Sequence, residues 1–309
     1  MANNNHNIKV LQTALLEKLP STRVREQELL CHHTTFKIGG PADLFIEPTT
    51  MAELSFTLRT IHELDVPVTI IGCGSNILVK DGGIRGAVVS VRHMTQIMDC
   101  NENTLCIGSG YMLKDASEFA WENGLSGLEF AIGIPGTLGG AVFMNAGAYD
   151  GEMSHVVTSV LAVDFEGNIK EYDASHLDFG YRHSVFHDNH EVIGEVIMTL
   201  QPGDKDAIKA RMDELTEKRE SKQPLEYASA GSTFKRPPGY FAGTLIEQTG
   251  LKGLSVGDAQ VSHKHAGFVI NTGNAKAKDV LDLIKEVQKR VYDQHGVHLE
   301  PEVRMIGED

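Results

Sequence analysis

The sequence predicts an α+β fold in two domains, and three observations carry that expectation. Short β-branched runs alternate with amphipathic helical stretches. Two glycine-rich, nearly uncharged loops interrupt the first half of the chain. A long charged helix opens at Asp204, where strand-rich sequence stops, so a domain boundary is expected near Leu200 to Gly203. A length of 309 residues fits about two domains.

The elements follow in order. Ile8, Leu11, Leu15 and Leu19 recur at helical spacing over residues 7–19, before Pro20. Asp43 to Glu47 reads as a strand. Thr50 with Glu53 makes a capping box for a helix through about Leu64. Val66 to Ile71 is a buried strand, and Ile84 to Val91 and Thr104 to Gly108 are further strands. Lys114 to Asn123 is a helix closed by Gly124 as a left-handed cap. Thr158 to Phe165 alternates, turns at Glu166–Asn168 and returns over Ile169 to Tyr172 as a hairpin. Val192 to Leu200 is another strand. Asp204 then caps a helix ended by Pro224, with Ile208, Met212 and Leu215 on one stripe. Gly267 to Ile270 is a strand, Lys278 to His295 a helix with Val280, Leu283, Ile284, Val287 and Val291 inward, and Leu299 to Ile306 an extended close.

Composition narrows the function. With 42 acidic and 28 basic residues the formal net charge is -14, which argues against nucleic acid or an anionic membrane as partner. The chain shows no apolar run near the ~20 residues of a membrane span and no signal-peptide pattern at MANNNHNIKV. Cys31, Cys73, Cys100 and Cys106 form no C-x-x-C pair and read as reduced thiols of a cytoplasmic protein. His32, His33, His187 and His190 lack the context of a metal site, and no metal is expected.

The first loop is Gly72-Cys73-Gly74-Ser75-Asn76, directly after the strand at Val66 to Ile71. A strand running into glycine and small polar residues makes a nest of N–H groups for a phosphate. It is neither G-x-G-x-x-G nor a P-loop. The second, Ala131 to Ala148, carries Gly133, Gly136, Gly139, Gly140 and Gly147, a Pro135-Gly136 turn, Asn145, and a short helix from Leu138 to Val142. Glycine admits a ligand or another backbone against the main chain, so these loops serve either a flat pyrophosphate-bearing ligand or a close-packed core. Three further segments hold reactive groups outside regular helix. Tyr181-Arg182-His183-Ser184 follows a turn, Gly231-Ser232-Thr233-Phe234-Lys235-Arg236 lies between glycine and proline, and Glu300-Pro301-Glu302-Val303-Arg304 lies at a strand. Arginine offers planar donors to carboxylate or phosphate, and hydroxyl and carboxylate groups can move or orient a proton. There is no G-x-S-x-G elbow of a serine hydrolase.

As an ordered set these segments resemble the UDP-N-acetylenolpyruvoylglucosamine reductase (MurB) family. The resemblance rests on TTFKIGG from Thr34, GCGSNILV from Gly72, GIPGTLGGAVFMNAGAY from Gly133, YRHSVF from Tyr181, SAGSTFKRP from Ser229, KHAGFVIN from Lys264 and LEPEVRMIG from Leu299. It implies an N-terminal lead-in over 1–32, an FAD-binding domain of the vanillyl-alcohol oxidase (PCMH) type over 33–200 in two α/β subdomains, and a C-terminal α/β substrate-binding domain over 201–309. It implies a cytoplasmic monomer of peptidoglycan synthesis that binds FAD non-covalently. NADPH reduces the flavin, and a hydride from flavin N5 reduces the enolpyruvyl ether of UDP-N-acetylglucosamine enolpyruvate, giving UDP-N-acetylmuramate.

The family's catalytic residues fall on Arg182, Ser232 and Glu302. Ser232 would give the proton, and Arg182 with Glu302 would stabilise the enolate. By resemblance FAD is held by Ile71, Gly72, Cys73, Gly74, Ser75, Asn76, Ile77 and Leu78, and by Gly133, Ile134, Pro135, Gly136, Gly139, Gly140, Asn145, Ala146 and Gly147. Tyr181, Lys222, Lys235 and Arg236 would contact the substrate, the lysines at its diphosphate. Only one short connection and one strand separate Arg182 from the Asp204 helix, so the chain resembles the shorter type of the family, without the inserted tyrosine loop. A different flavin oxidoreductase and a non-catalytic nucleotide binder are the alternatives. A binder has no need of a proton donor, and no motif matches the third domain of the related oxidases.

Overall fold

The computed structural model describes residues 2–98, 101 and 103–309. It divides into two compact units, each discontinuous in sequence. The first comprises Met1–Glu26, Asp43–Cys73 and Gly86–Lys218; the second comprises Gln27–Ala42, Gly74–Arg85 and Arg219–Asp309. These limits differ from a boundary near Leu200, for a packing reason. Ile208, Met212 and Leu215 bury their stripe with Ile132, which assigns most of the charged helix to the first unit. Phe36, Ile38 and Leu78 join the core made by residues 230–303, which assigns their segments to the second.

The first unit holds α1 (Ala2–Leu15), α2 (Met51–Glu63), α3 (Leu113–Glu122), α4 (Leu138–Phe143), α5 (Phe186–Asn189) and most of α6 (Lys205–Lys222). α1 begins and ends earlier than the expected 7–19, because its start lies in asparagines that carry no apolar period. Leu19, beyond its end, is buried all the same. Thr50 caps α2, its hydroxyl accepting the Glu53 N–H at 3.2 Å. The reciprocal half of the expected box is replaced. The Glu53 carboxylate accepts the Thr49 N–H at 2.8 Å and takes a two-pronged Arg23 bond at 2.6 and 2.9 Å. Gly124 takes φ 69° after α3, as expected of a left-handed cap.

One sheet runs in the order Val24–Leu29, Pro41–Ile46, Ile84–Ser90, Val68–Ile71, its last pair parallel. A second sheet is antiparallel, in the order Ile169–Asp173, Val157–Val163, Val192–Thr199, Thr104–Gly108, Ile97–Met98. Its first pair is the expected hairpin. Ile107, Val160 and Val196 from this sheet share a core with Leu113 and Ala116 of α3 and Leu138 and Val142 of α4.

The second unit holds α7 (Ala242–Gln248) and α8 (Ala277–His295) with a four-stranded antiparallel sheet, ordered Ala228–Ser229, Val269–Asn271, Ala259–Val261, Ser255–Val256. Val280, Leu283, Ile284, Val287 and Val291 of α8 line its core, as the spacing predicts. The end of the chain forms a strand only over Arg304–Ile306, parallel to Ile77–Val79. Among the described residues Cys31, Cys73 and Cys106 form no disulfide, and Cys100 lies outside the described residues.

Candidate active site

Within the first unit, the end of the strand Val68–Ile71 meets the start of α4. A Cβ on Gly72 would stand 2.4 Å from Thr137 Oγ1, so only glycine fits there. Thr137 is buried and caps α4, accepting the Gly140 N–H at 3.3 Å. Gly139 gives its N–H to the Ser109 carbonyl at 2.8 Å, and a Cβ there would stand 2.7 Å from Ser109 Cβ. Ser109 itself escaped the sequence reading. It is fully buried, and among the described residues its hydroxyl has no hydrogen-bond partner. The available signal was Gly108-Ser109-Gly110 at the end of a strand, the pattern of the first loop.

In that first loop, Cys73, Gly74 and Ser75 give their N–H groups to no turn or loop carbonyl among the described residues. Successive unsatisfied N–H groups are what a phosphate needs. These open N–H groups, and separately the orphaned Ser109 hydroxyl beside Gly139 in the first unit, fit a pyrophosphate-bearing flavin better than fully satisfied core connections would. Not every residue expected at the cofactor is available through its side chain. Leu78 is a core residue of the second unit, and Ile134 and Ala146 pack on the core of the first. Gly147 makes room for Glu152, whose Cβ lies 2.9 Å from where its own would be.

Asn145 is buried, with φ 40°, and its amide is spent on the protein. Nδ2 donates to Glu152 Oε1 at 3.2 Å and to the Gly180 carbonyl at 3.1 Å; Oδ1 accepts the Ser154 N–H at 3.0 Å. Through Gly180 it grips the turn that carries Arg182. Gly180 and His183 exchange two backbone hydrogen bonds at 3.1 and 3.2 Å, leaving Tyr181 and Arg182 at the tip. Ser184 Oγ donates to the Phe143 carbonyl at 2.8 Å, a second tie to the glycine-rich stretch. Arg182 is half-buried at φ 56°, its guanidinium 5.2 Å from the centre of the exposed Tyr181 ring. A non-glycine residue persists there only where its surroundings over-determine it. Glu152 lies below the usual carboxylate range, first through the Ser154 hydroxyl, against desolvation, with Asn145, His155 and Arg182 adding to the effect.

The second unit brings Asn76, Ser232 and Glu302 together through the backbone. Thr233 donates to the Gly267 carbonyl at 2.9 Å, and its hydroxyl accepts the Val269 N–H at 2.9 Å. Its carbonyl accepts the Glu302 N–H at 2.8 Å. The Arg304 N–H donates to the Asn76 carbonyl at 3.0 Å, and Asn76 Nδ2 to the Glu302 carbonyl at 3.4 Å. Ser232, one residue before the pinned Thr233, is exposed, and Glu302 is half-buried.

The candidate substrate cations are differently placed. Lys235 pairs with Glu300 at 3.3 Å on the surface, a contact of small worth. Arg236 sets its guanidinium 4.1 Å from the Phe241 ring centre. Lys222 ends α6, exposed, and its charge joins burial in lowering the His265 pKa, burial being the larger cause. Lys264 donates to the Glu220 carbonyl at 2.7 Å, so the His263-Lys264-His265 segment lies against the end of α6.

Comparison with known proteins gives this arrangement its relatives. Residues 42–173 match an FAD binding domain, and residues 223–306 match the UDP-N-acetylenolpyruvoylglucosamine reductase C-terminal domain. A Bacillus cereus protein named UDP-N-acetylenolpyruvoylglucosamine reductase 2 is 47% identical over 303 residues, covering 98% of this chain and 99% of its own. A Clostridium perfringens UDP-N-acetylenolpyruvoylglucosamine reductase is 52% identical over 280 residues, 91% of this chain and 92% of its own. The crystal structure of MurB from Thermus caldophilus matches with a TM-score of 0.79 and 36% identity, over 92% of this chain and 100% of that one. The p-cresol methylhydroxylase structure shares the fold alone, at TM-score 0.60 and 11% identity over 94% of this chain and 88% of that one. The α+β fold with a PCMH-type FAD-binding domain is thereby established. The chain belongs to the UDP-N-acetylenolpyruvoylglucosamine reductase (MurB) family, FAD-containing oxidoreductases of the UDP-N-acetylmuramate dehydrogenase type, in its shorter form.

Proposed function

We propose that this enzyme uses NADPH to reduce the enolpyruvyl ether of UDP-N-acetylglucosamine enolpyruvate, with Arg182, Ser232 and Glu302 as its catalytic residues. FAD, when bound, would supply the two-electron redox chemistry that links NADPH oxidation to substrate reduction. Arg182 receives the substrate carboxylate and holds the negative charge that builds there as the enolate forms. Its left-handed backbone, fixed by Gly180, His183 and Asn145, supports this role, since strain held by a dedicated scaffold marks functional positions. Ser232 donates the proton to the adjacent carbon, and Glu302 orients the donor and the charge around it.

The observation that carries the reading is the backbone bond between Thr233 and Glu302, continued to Asn76. It joins a proton donor and a carboxylate to the loop proposed to hold the flavin. Cys73, Gly74 and Ser75 N–H groups would take the pyrophosphate, and Lys222, Lys235, Arg236 and Tyr181 the substrate. Among the described residues no helix is long and apolar enough to cross a membrane. The test is anaerobic stopped-flow absorbance. NADPH should bleach the flavin, and the enolpyruvyl sugar should restore its colour rapidly. Bleaching without recovery would remove the substrate from the proposal and leave the flavoprotein.

A further inference from the structure

We propose that Asp178, His183 and Asp188 form a site for one borderline divalent cation of the zinc or manganese kind, which clamps the turn that carries Arg182. One ligand atom from each of Asp178, His183 and Asp188 lies within 4.8 Å of the other two. The spacing is longer than a closed charge-assisted hydrogen bond. A charge-assisted bond closes to about 2.7–2.9 Å, as His33 Nε2 does on Glu28 Oε1 at 2.7 Å. Here the imidazole stands 3.4 Å from one carboxylate and 3.5 Å from the other. Two ligands each about 2.1 Å from a tetrahedral ion lie roughly 3.4 Å apart. One imidazole with two carboxylates is a mixed nitrogen–oxygen set, which favours zinc or manganese over the all-oxygen cations calcium and magnesium.

The frame that holds these groups is rigid. Leu177, before Asp178, is fully buried, and its carbonyl accepts the Val185 N–H at 2.8 Å. His183 is locked to Gly180 by two backbone bonds, and Asp188 follows the buried Phe186 in α5. The carboxylate ends of Asp178 and Asp188 are solvent-accessible, so an ion can reach them and water can complete its shell. An ion there would bridge the residues on either side of Tyr181 and Arg182, fixing the turn more firmly than the protein does alone. The metal site itself is independent of the substrate reading, and only its effect on Arg182 bears on that reading.

Protein carrying its flavin, stripped with chelator and desalted, is titrated calorimetrically with zinc chloride. The wild type should take one equivalent, and an Asp178→Asn/Asp188→Asn double variant should bind at least tenfold more weakly. Asparagine suits the φ of 45° at Asp178, so the variant keeps the backbone. Cobalt(II) should give ligand-field bands beyond the flavin absorption in the wild type and lose them in the variant. Independently of any variant, zinc should slow amide hydrogen exchange across residues 178–188 of the wild type. Equal zinc affinity in both proteins, or no one-equivalent binding by the wild type, would overturn the site. Binding without slower exchange would overturn the clamp.

Discussion

Asn145→Ala tests whether the Arg182 turn is held as described. The substitution removes three hydrogen bonds, from Nδ2 to Glu152 and Gly180 and from the Ser154 N–H to Oδ1. At about 1 kcal/mol net for each, that is about 3 kcal/mol. Alanine also tolerates φ 40° less well than asparagine, which adds up to about 1 kcal/mol. The Gly180 carbonyl keeps its His183 N–H, while the Ser154 N–H beside the buried Asn145 position loses its partner. The expected loss is therefore about 3–4 kcal/mol, or roughly 6–16 °C in Tm for a cooperative unit of about 200 residues. Thermal unfolding followed by far-UV circular dichroism reads the stability. Single-turnover flavin reoxidation reads the turn, and it should slow while reduction by NADPH changes little. A stability loss below about 1 kcal/mol with unaltered reoxidation would refute the reasoning, because Asn145 would then be neither a brace of the fold nor of Arg182.

The remaining predictions concern the chemistry and the scaffold. Ser232→Ala should keep FAD and its reduction by NADPH while slowing reoxidation by substrate roughly 10²–10⁴-fold; equal losses in both half-reactions would count against a proton donor. Lys222→Ala should raise KM more than it lowers kcat, and an unchanged KM would remove it from the substrate site. The Glu53 carboxyl is pulled down to about 2, chiefly by its hydrogen bonds from Arg23. A folded pKa below the unfolded value of about 4.3 stabilises above the unfolded pKa and loses that contribution as pH falls from there toward 2. At about 1.4 kcal/mol per pKa unit the ion pair contributes at most about 3 kcal/mol, so Arg23→Met should flatten the dependence of stability on pH between about 4.5 and 2.5. An acid limb identical to the wild type would assign acid sensitivity to other groups.

Much of this protein was legible in its sequence because local chemistry writes it there. The apolar stripe of α8, the Thr50 cap, the Gly124 stop and the 157–173 hairpin follow from spacing and turn residues that act within a few positions. The motifs carried the family, since GCGSN, YRHS, GSTFK and PEVR keep an order that few chains share. What the sequence left open were matters of distance. Nothing local states that the Glu53 carboxylate turns to Arg23, since that partner is thirty positions away. Nothing local states that Asn145 serves the Arg182 turn, that Ser109 is buried without a partner, or that Asp178, His183 and Asp188 converge. The units interleave along the chain because Phe36, Ile38 and Leu78 find their apolar surroundings among residues 230–303. Periodicity determines which face of an element is apolar; only tertiary packing decides which core receives it, because burial is non-directional and indifferent to separation along the chain.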